Sequence, residues 1–397
     1  METKVGTGYS VKTNSFESGV ECVSRALQKG SVTKPDLVMV FCGRKHNPKE
    51  FLDGVNSAAK GAMVTGGTSF GIITNEFLGY EGYESAAAVF QSDQIKFGIF
   101  LQGDLDKDEY SAGKILAEKI KNKMPGEYSM ILLYDSVKSN VPPRLNFGTP
   151  LSKGLEEVLI PFPNCAGAGL LNDALFTMPC YQFHNDKVIG KNVIAITFSG
   201  RHSFNTSIIH GCKPSSSYKT LTKVEGPVIY EIDNRPALEV IDEMLGENHG
   251  LNWKDFAFYI TLGLNLGKKF EEFDDNNYAN RLVLAVDEEK KALIMFEPDL
   301  KTGDEVQLMR RSVDLDYVSA GMDEIIKRVE KPLFLFYIDC AGRAKPFSGG
   351  LFEEAEEVQK KAGGIPFLGI YSGVELAKIR GHLQPLDWTG VVTILGE

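Results

Sequence analysis

Asp339, Cys340 and Arg343 follow directly on one apolar run, and Ser372 and Glu375 follow on another. An arginine in such a place can hold a carboxylate bidentately, and a glutamate can hold an ammonium. Arg343, Ser372 and Glu375, with Tyr371 beside them, therefore read as a pocket for a small polar ligand, an amino acid for example. The same arginine is equally suited to a structural pair with Asp339 or Glu375, because burying it alone costs several kcal/mol. Cys340 and Cys42 both end apolar runs. Free cysteine is among the most buried residue types, so packing is the default, and a nucleophile would need His382 or His210 brought close through space. Gly66-Gly67-Thr68-Ser69 could offer backbone N–H groups and hydroxyls to a ligand, although no Lys-Ser/Thr follows to make a phosphate loop. His202, His210 and Cys212 would share one face of a strand, which keeps a haem or metal site open, but zinc wants a further ligand that is not visible.

The elements that position these groups can be read from periodicity. Pro332 to Ile338 is a continuous apolar run, as in a strand buried on both faces. Gly349-Gly350 opens a helix with Glu353, Glu354, Glu356, Glu357, Lys360 and Lys361 outward, and Gly363-Gly364 closes it. Ile365 to Ser372 is the next strand, and Val391 to Leu395 the last. The same order occurs near the start: strand Asp36–Cys42, a helix from Pro48, strand Ala62–Thr65 and a Gly/Ser turn. This predicts an internal repeat with Cys42 matching Cys340 and Ser69 matching Ser372. A third copy of the order begins at Ser129, with Asn164 to Gly169 as its turn. Ser85–Phe90 and Lys96–Leu101 read as adjacent strands. The expected fold is α+β: layered mixed β-sheets with packed helices, in repeated βαβ-plus-hairpin units.

Several of these segments resemble the FIST family of bacterial ligand-sensing signal-transduction proteins. Cys340-Ala341-Gly342-Arg343 after its strand, and Gly369 to Leu376, look like the family's C-terminal motifs; Glu375 is kept, while Val374 replaces a glycine. Gly66 to Gly71 is similar to the family's first turn, with Ile72 in place of a glutamate. Asn164–Asp173, His210-Gly211-Cys212-Lys213-Pro214 and Gly226–Ala237 resemble further family segments in the same order. The resemblance implies an N-type domain over 1–222 and a C-type domain over 223–397. It also implies a sensor that binds a small ligand and signals to a partner protein in trans. Haem is implied as an alternative cofactor, since some family members bind it.

Composition narrows the rest. A net charge of −10 argues against broad nucleic-acid binding, which wants clustered Lys and Arg. No run approaches twenty apolar residues and no apolar core follows Met1, so neither membrane insertion nor secretion is expected. Six cysteines without paired spacing fit a reducing cytoplasm. No kinase, cyclase or methyl-accepting segment is read, and an enzyme built on Cys340 is the rival reading.

Overall fold

The computed structural model describes residues 2–245, 260–312, 314–348 and 353–397. The Gly349-Gly350 helix start lies outside them. The fold is α+β, with three six-stranded mixed sheets and a nine-stranded one among the described residues.

The six-stranded sheets share one pairing scheme. In the first, Leu37–Cys42 runs parallel to Met63–Thr68 and antiparallel to Ser85–Gln91, which carries Lys4–Ser10 on its other edge. In the second, Tyr128–Asp135 runs parallel to Asn164–Leu170 and antiparallel to Val193–Gly200, flanked by Ile95–Gln102. In the third, Pro332–Cys340 runs parallel to Phe367–Ser372 and antiparallel to Gly390–Gly396, flanked by Ser203–Ile209. Each set of four strands leaves one edge open, and each edge is covered by a hairpin that follows the last parallel strand of another sheet. The hairpin Ile72–Thr74/Leu78–Gly79 pairs with Phe367–Ser372. Gln182–His184/Lys187–Ile189 pairs with Met63–Thr68. Val374–Ile379/His382–Leu386 pairs with Asn164–Leu170. The pairing thus crosses the 222/223 boundary in both directions.

Alternation along the buried strands explains why they read as unbroken apolar runs. Leu37, Met39 and Phe41 join one core with Ile131, Leu133, Phe334 and Phe336 from the other two sheets. Phe41 and Phe336 stack with ring centroids 6.0 Å apart. Val38, Val40 and Cys42 point the other way, against the Ser15–Lys29 and Pro48–Ala58 helices. Met130, Leu132 and Tyr134 do the same under Glu109–Lys123 and Gly148–Val158. A strand covered on both faces has no polar side to show.

The structure departs from the sequence reading where glycine is dense. Gly66, Gly67 and Thr68 are not a turn but the end of strand Met63–Thr68, and Asn164 to Gly169 is likewise strand. The glycines serve close approach. A Cβ on Gly66, whose φ is +138°, would stand 1.8 Å from the Val40 carbonyl oxygen. Register also moves one equivalence: Cys42 pairs with Thr68 as Cys340 pairs with Ser372, so Thr68 rather than Ser69 holds that place. Asp135, paired with Leu170, is the counterpart in the second sheet. Ser85–Gln91 and Ile95–Gln102 are consecutive in the chain but lie in different sheets. The nine-stranded sheet spans Cys212–Pro214 to Glu305–Arg311 and is inserted into the third unit.

Gly66→Ala should therefore destabilise the protein by about 3 kcal/mol or more, since backbone meets backbone and no side chain can give way. Gly364→Ala, whose Cβ would meet nothing within 4 Å, should stay within about 0.5 kcal/mol. Urea unfolding of both variants checks the contrast.

Candidate functional site

Parallel pairing brings Cys340 and Ser372 side by side at the ends of their strands. Above them lies a cavity of about 340 Å³. Its floor is Cys340, Ala341, Gly342, Ser372 and Gly373, with Asp387 and Trp388 beside them. Leu171, Ala174, Leu175 and Phe176 form a second wall, from the loop after strand Asn164–Leu170. Leu282, Val283, Leu284 and Phe296, from the inserted sheet, close the third, and Phe347 completes the lining. The cavity thus lies where two core units and the insertion meet, and it is largely apolar.

Arg343 does not reach it. The guanidinium is fully buried, its Nε 3.0 Å from Asp339 Oδ1 and its Nη2 3.4 Å from Glu354 Oε1. Nη1 donates to the carbonyls of Ile209 (2.7 Å) and Trp388 (3.3 Å). Glu354 Oε1 also accepts from Arg311 and from the Tyr317 hydroxyl, both at 2.6 Å. Burial opposes charge on Glu354, but the two guanidiniums prevail and hold its carboxyl below the usual range. Of the two roles open to Arg343, the geometry carries the structural one, with Asp339 and Glu354 as partners.

The other expected site residues divide likewise. Ser372 lies on the cavity floor, and its hydroxyl donates to Glu375 Oε1 at 2.7 Å. Glu375 sits behind it, fully buried, also accepting from the Thr389 amide, and burial raises its pKa well above the usual range. Tyr371 packs edge-on against Phe70 and Tyr80, outside the cavity lining. Gly66, Gly67, Thr68 and Ser69 are all buried in the sheet junction. The Tyr181 amide donates to Thr68 Oγ1, and Ser69 Oγ is placed to donate to the carbonyls of Gly71 and Tyr371. They pin the crossing hairpins and do not meet Arg343.

His202 and His210 are not brought together, since they flank opposite ends of the seven-residue strand Ser203–Ile209. That places them roughly 20 Å or more apart. His202 bonds to Ser129 Oγ (3.0 Å), while His210 accepts from the Cys212 amide and faces Asp275. Burial lowers the His210 pKa, and its neutral ring is spent on that turn. Cys212 is buried with its thiol toward the His210 carbonyl. His382 pairs with Glu156, so neither histidine stands at Cys340. All six cysteines are free and buried, and burial pushes the Cys340 thiol up, away from the thiolate.

Asp387, beside Trp388 on the cavity wall, was missed by the sequence reading. Trp388 adopts φ +53°, an outlier for so bulky a residue, and such backbone strain gathers at functional sites. Nearby, Arg281 is fully buried and forks onto Asp299, with Nη1 donating to the Asn280 and Pro385 carbonyls. Glu297 accepts from the amides of Gly148 (2.8 Å) and Thr149 (2.9 Å), tying the insertion to the start of helix Gly148–Val158. Burial, reinforced by Asp387, lifts the Glu297 pKa to about 8, and burial lifts that of Asp387 to about 6.

With this geometry in view, the comparisons with known proteins take their place. The chain matches the FIST N domain over residues 36–235 and the FIST C domain over 237–378. It belongs to the FIST family, whose domains are associated with sensing in signal transduction. Among relatives is an uncharacterized protein of Methanocaldococcus jannaschii, 26% identical over 336 residues, covering 81% of this chain. The aligned region spans 60% of that relative's length. An uncharacterized protein of Mycobacterium tuberculosis is 21% identical over 398 residues, covering 96% of each chain. Among solved structures, a chorismatase aligns over both whole chains with a TM-score of 0.37 and 9% identity. A cyanuric acid hydrolase from A. caulinodans aligns over 50% of this chain and 71% of its own, at 0.30 and 8%. Likeness that low carries no argument about activity.

Two outcomes test the site. Arg343→Ala should lower stability by about 3–5 kcal/mol, because it strands two buried carboxylates. Urea unfolding of parent and variant checks the loss. Glu297 is protonated in the fold up to about pH 8 but ionises near 4.5 when unfolded. The unfolded chain therefore binds fewer protons between those values, and this group's contribution to stability falls as pH rises through that window. Glu297→Gln should flatten the decline in urea-unfolding free energy between pH 5 and 8.

Proposed function

We propose that this protein is a sensor that binds a small ligand with a largely apolar body in the cavity over Cys340, Ser372 and Asp387. Its occupancy would pass to a signalling partner in trans. The observation that carries the reading is the position of the cavity. One wall belongs to the inserted sheet and the others to the three-sheet core, so a ligand touches both at once. A ligand that prefers one spacing of these walls shifts the population toward it, which is what a sensor requires. Family membership supports the sensory role.

The ligand class follows from the lining. A free amino acid would bring a carboxylate, and the arginine suited to it is committed to Asp339 and Glu354. An apolar body gains about 25 cal/mol for each Å² it buries against Leu171, Leu175, Leu282 and Phe296. The rival reading, an enzyme using Cys340, finds no histidine beside the thiol among the described residues and needs the thiolate that burial disfavours. Six buried free thiols favour a reducing compartment such as the cytoplasm. Among the described residues no helix is long and apolar enough to cross a membrane.

A thermal-shift screen of neutral aromatic and aliphatic fragments should yield binders. A fragment at about a hundred times its dissociation constant should stabilise the fold by about 2.7 kcal/mol. Ala174→Trp fills the cavity from its loop wall and should abolish the shift. A shift that survives this substitution would remove the cavity from the proposal.

A further inference from the structure

We propose that the cavity selects an amine: a ligand with an apolar body and one cationic nitrogen, held by the Asp387 carboxylate. This rests on the reading of the cavity as the ligand site and names the chemistry it takes.

The argument starts from an incomplete set of hydrogen bonds. Asp387 lines the cavity and is 2% exposed. Its Oδ2 accepts from the Leu282 amide at 3.0 Å, while Oδ1, buried from solvent, has no partner among the described residues. Buried carboxylate oxygens are rarely left so, because the lost hydration is not replaced. A donor arriving with a ligand would complete the set.

The charges around it point to a cation. Arg281 is the nearby positive group, but its fork is spent on Asp299 and its Nη1 on two carbonyls. One positive charge is thus matched by one negative before Asp387 is counted. Glu297 stays protonated until about pH 8, and burial also disfavours charge on Glu375. Asp387 ionises at about 6. At pH 7.5 Asp387 and Asp299 share the one Arg281 guanidinium, so among the described residues this wall carries a net negative charge. Arg311 stacks on Trp388 with its guanidinium carbon 5.3 Å from the ring centroid. Arg311 is in turn bonded to Glu354, which answers its charge.

The remaining lining suits the same ligand. Phe176, Phe296, Phe347 and Trp388 give aromatic walls, which attract cations as well as apolar carbon. Among the described residues no lysine or arginine lines the cavity to take a carboxylate, so a zwitterion would leave its anionic end unmatched.

The test is calorimetry on the full chain at pH 7.5 with three probes of one shape: 2-phenylethylamine, 2-phenylethanol and phenylalanine. The amine should bind at least tenfold tighter than the alcohol, and phenylalanine no tighter than the alcohol. Asp387→Asn keeps the shape and an acceptor for the Leu282 amide. It should erase the preference for the amine, weakening the amine at least tenfold more than the alcohol. If alcohol and amine bind parent equally, the amine proposal falls and the cavity reading stands. If the amine is preferred and Asp387→Asn retains the preference, the assignment to Asp387 falls. If none of the probes binds, both readings fall. The amine-to-alcohol ratio in the parent protein decides the matter even if the variant does not fold.

Discussion

A guanidinium sealed from water organises the carboxyl ends of the third sheet. Arg343 can remain charged there only because Asp339 and Glu354 stand against it and two carbonyls accept from it. Those carbonyls belong to Ile209, at the end of the flanking strand, and Trp388, at the cavity floor. Glu354 in turn draws in Arg311 from the inserted sheet and Tyr317 from the helix Asp316–Lys327. The insertion, the core strands and the cavity floor therefore hang on one set of buried charges. Each member is costly alone and stable only in company. The arrangement also uses up positive charge: neither Arg343 nor Arg311 lines the cavity above, where Asp387 does.

The strands and their order were legible because burial on both faces writes unbroken apolar runs into the sequence. Pro332–Cys340 and Leu37–Cys42 are of this kind, and the parallel exits at Cys340 and Ser372 follow from them. Glycine-rich strands were not legible. Gly66 and Gly167 lie against carbonyl oxygens of the neighbouring strands, Val40 and Leu132, and sequence alone does not distinguish that need from a turn. The edge-covering hairpins were hidden for another reason. Their partners lie in other units, and nothing local to Ile72–Gly79 points toward Phe367.

The candidate site was half legible. Ser372 and Cys340 were reached by asking which side chains stand at strand exits. The same question placed Arg343 and Glu375 there too, but it could not tell a side chain facing the cavity from one turned behind the floor. Asp387 escaped notice because it follows a short polar strand, His382–Leu386, with no apolar run to announce it. Its neighbour Trp388, held at positive φ, gives no local sign of that conformation. The histidines failed differently. Equal facing along a strand was read as proximity, although seven residues of extended chain keep His202 and His210 apart.

The crossing hairpins also set a schedule for the chain as it is made. Asn75 accepts from the Phe367 amide, 292 positions away. At about 5–20 residues per second, the first hairpin leaves the ribosome roughly 15–60 s before the strand it must cover exists. In that interval Ile72 and Ile73, both fully buried in the finished protein, have no native cover from that strand. The first sheet likewise waits for Gln182–His184 to close its edge. Truncated chains that end before residue 367 would leave the ribosome with that surface still open.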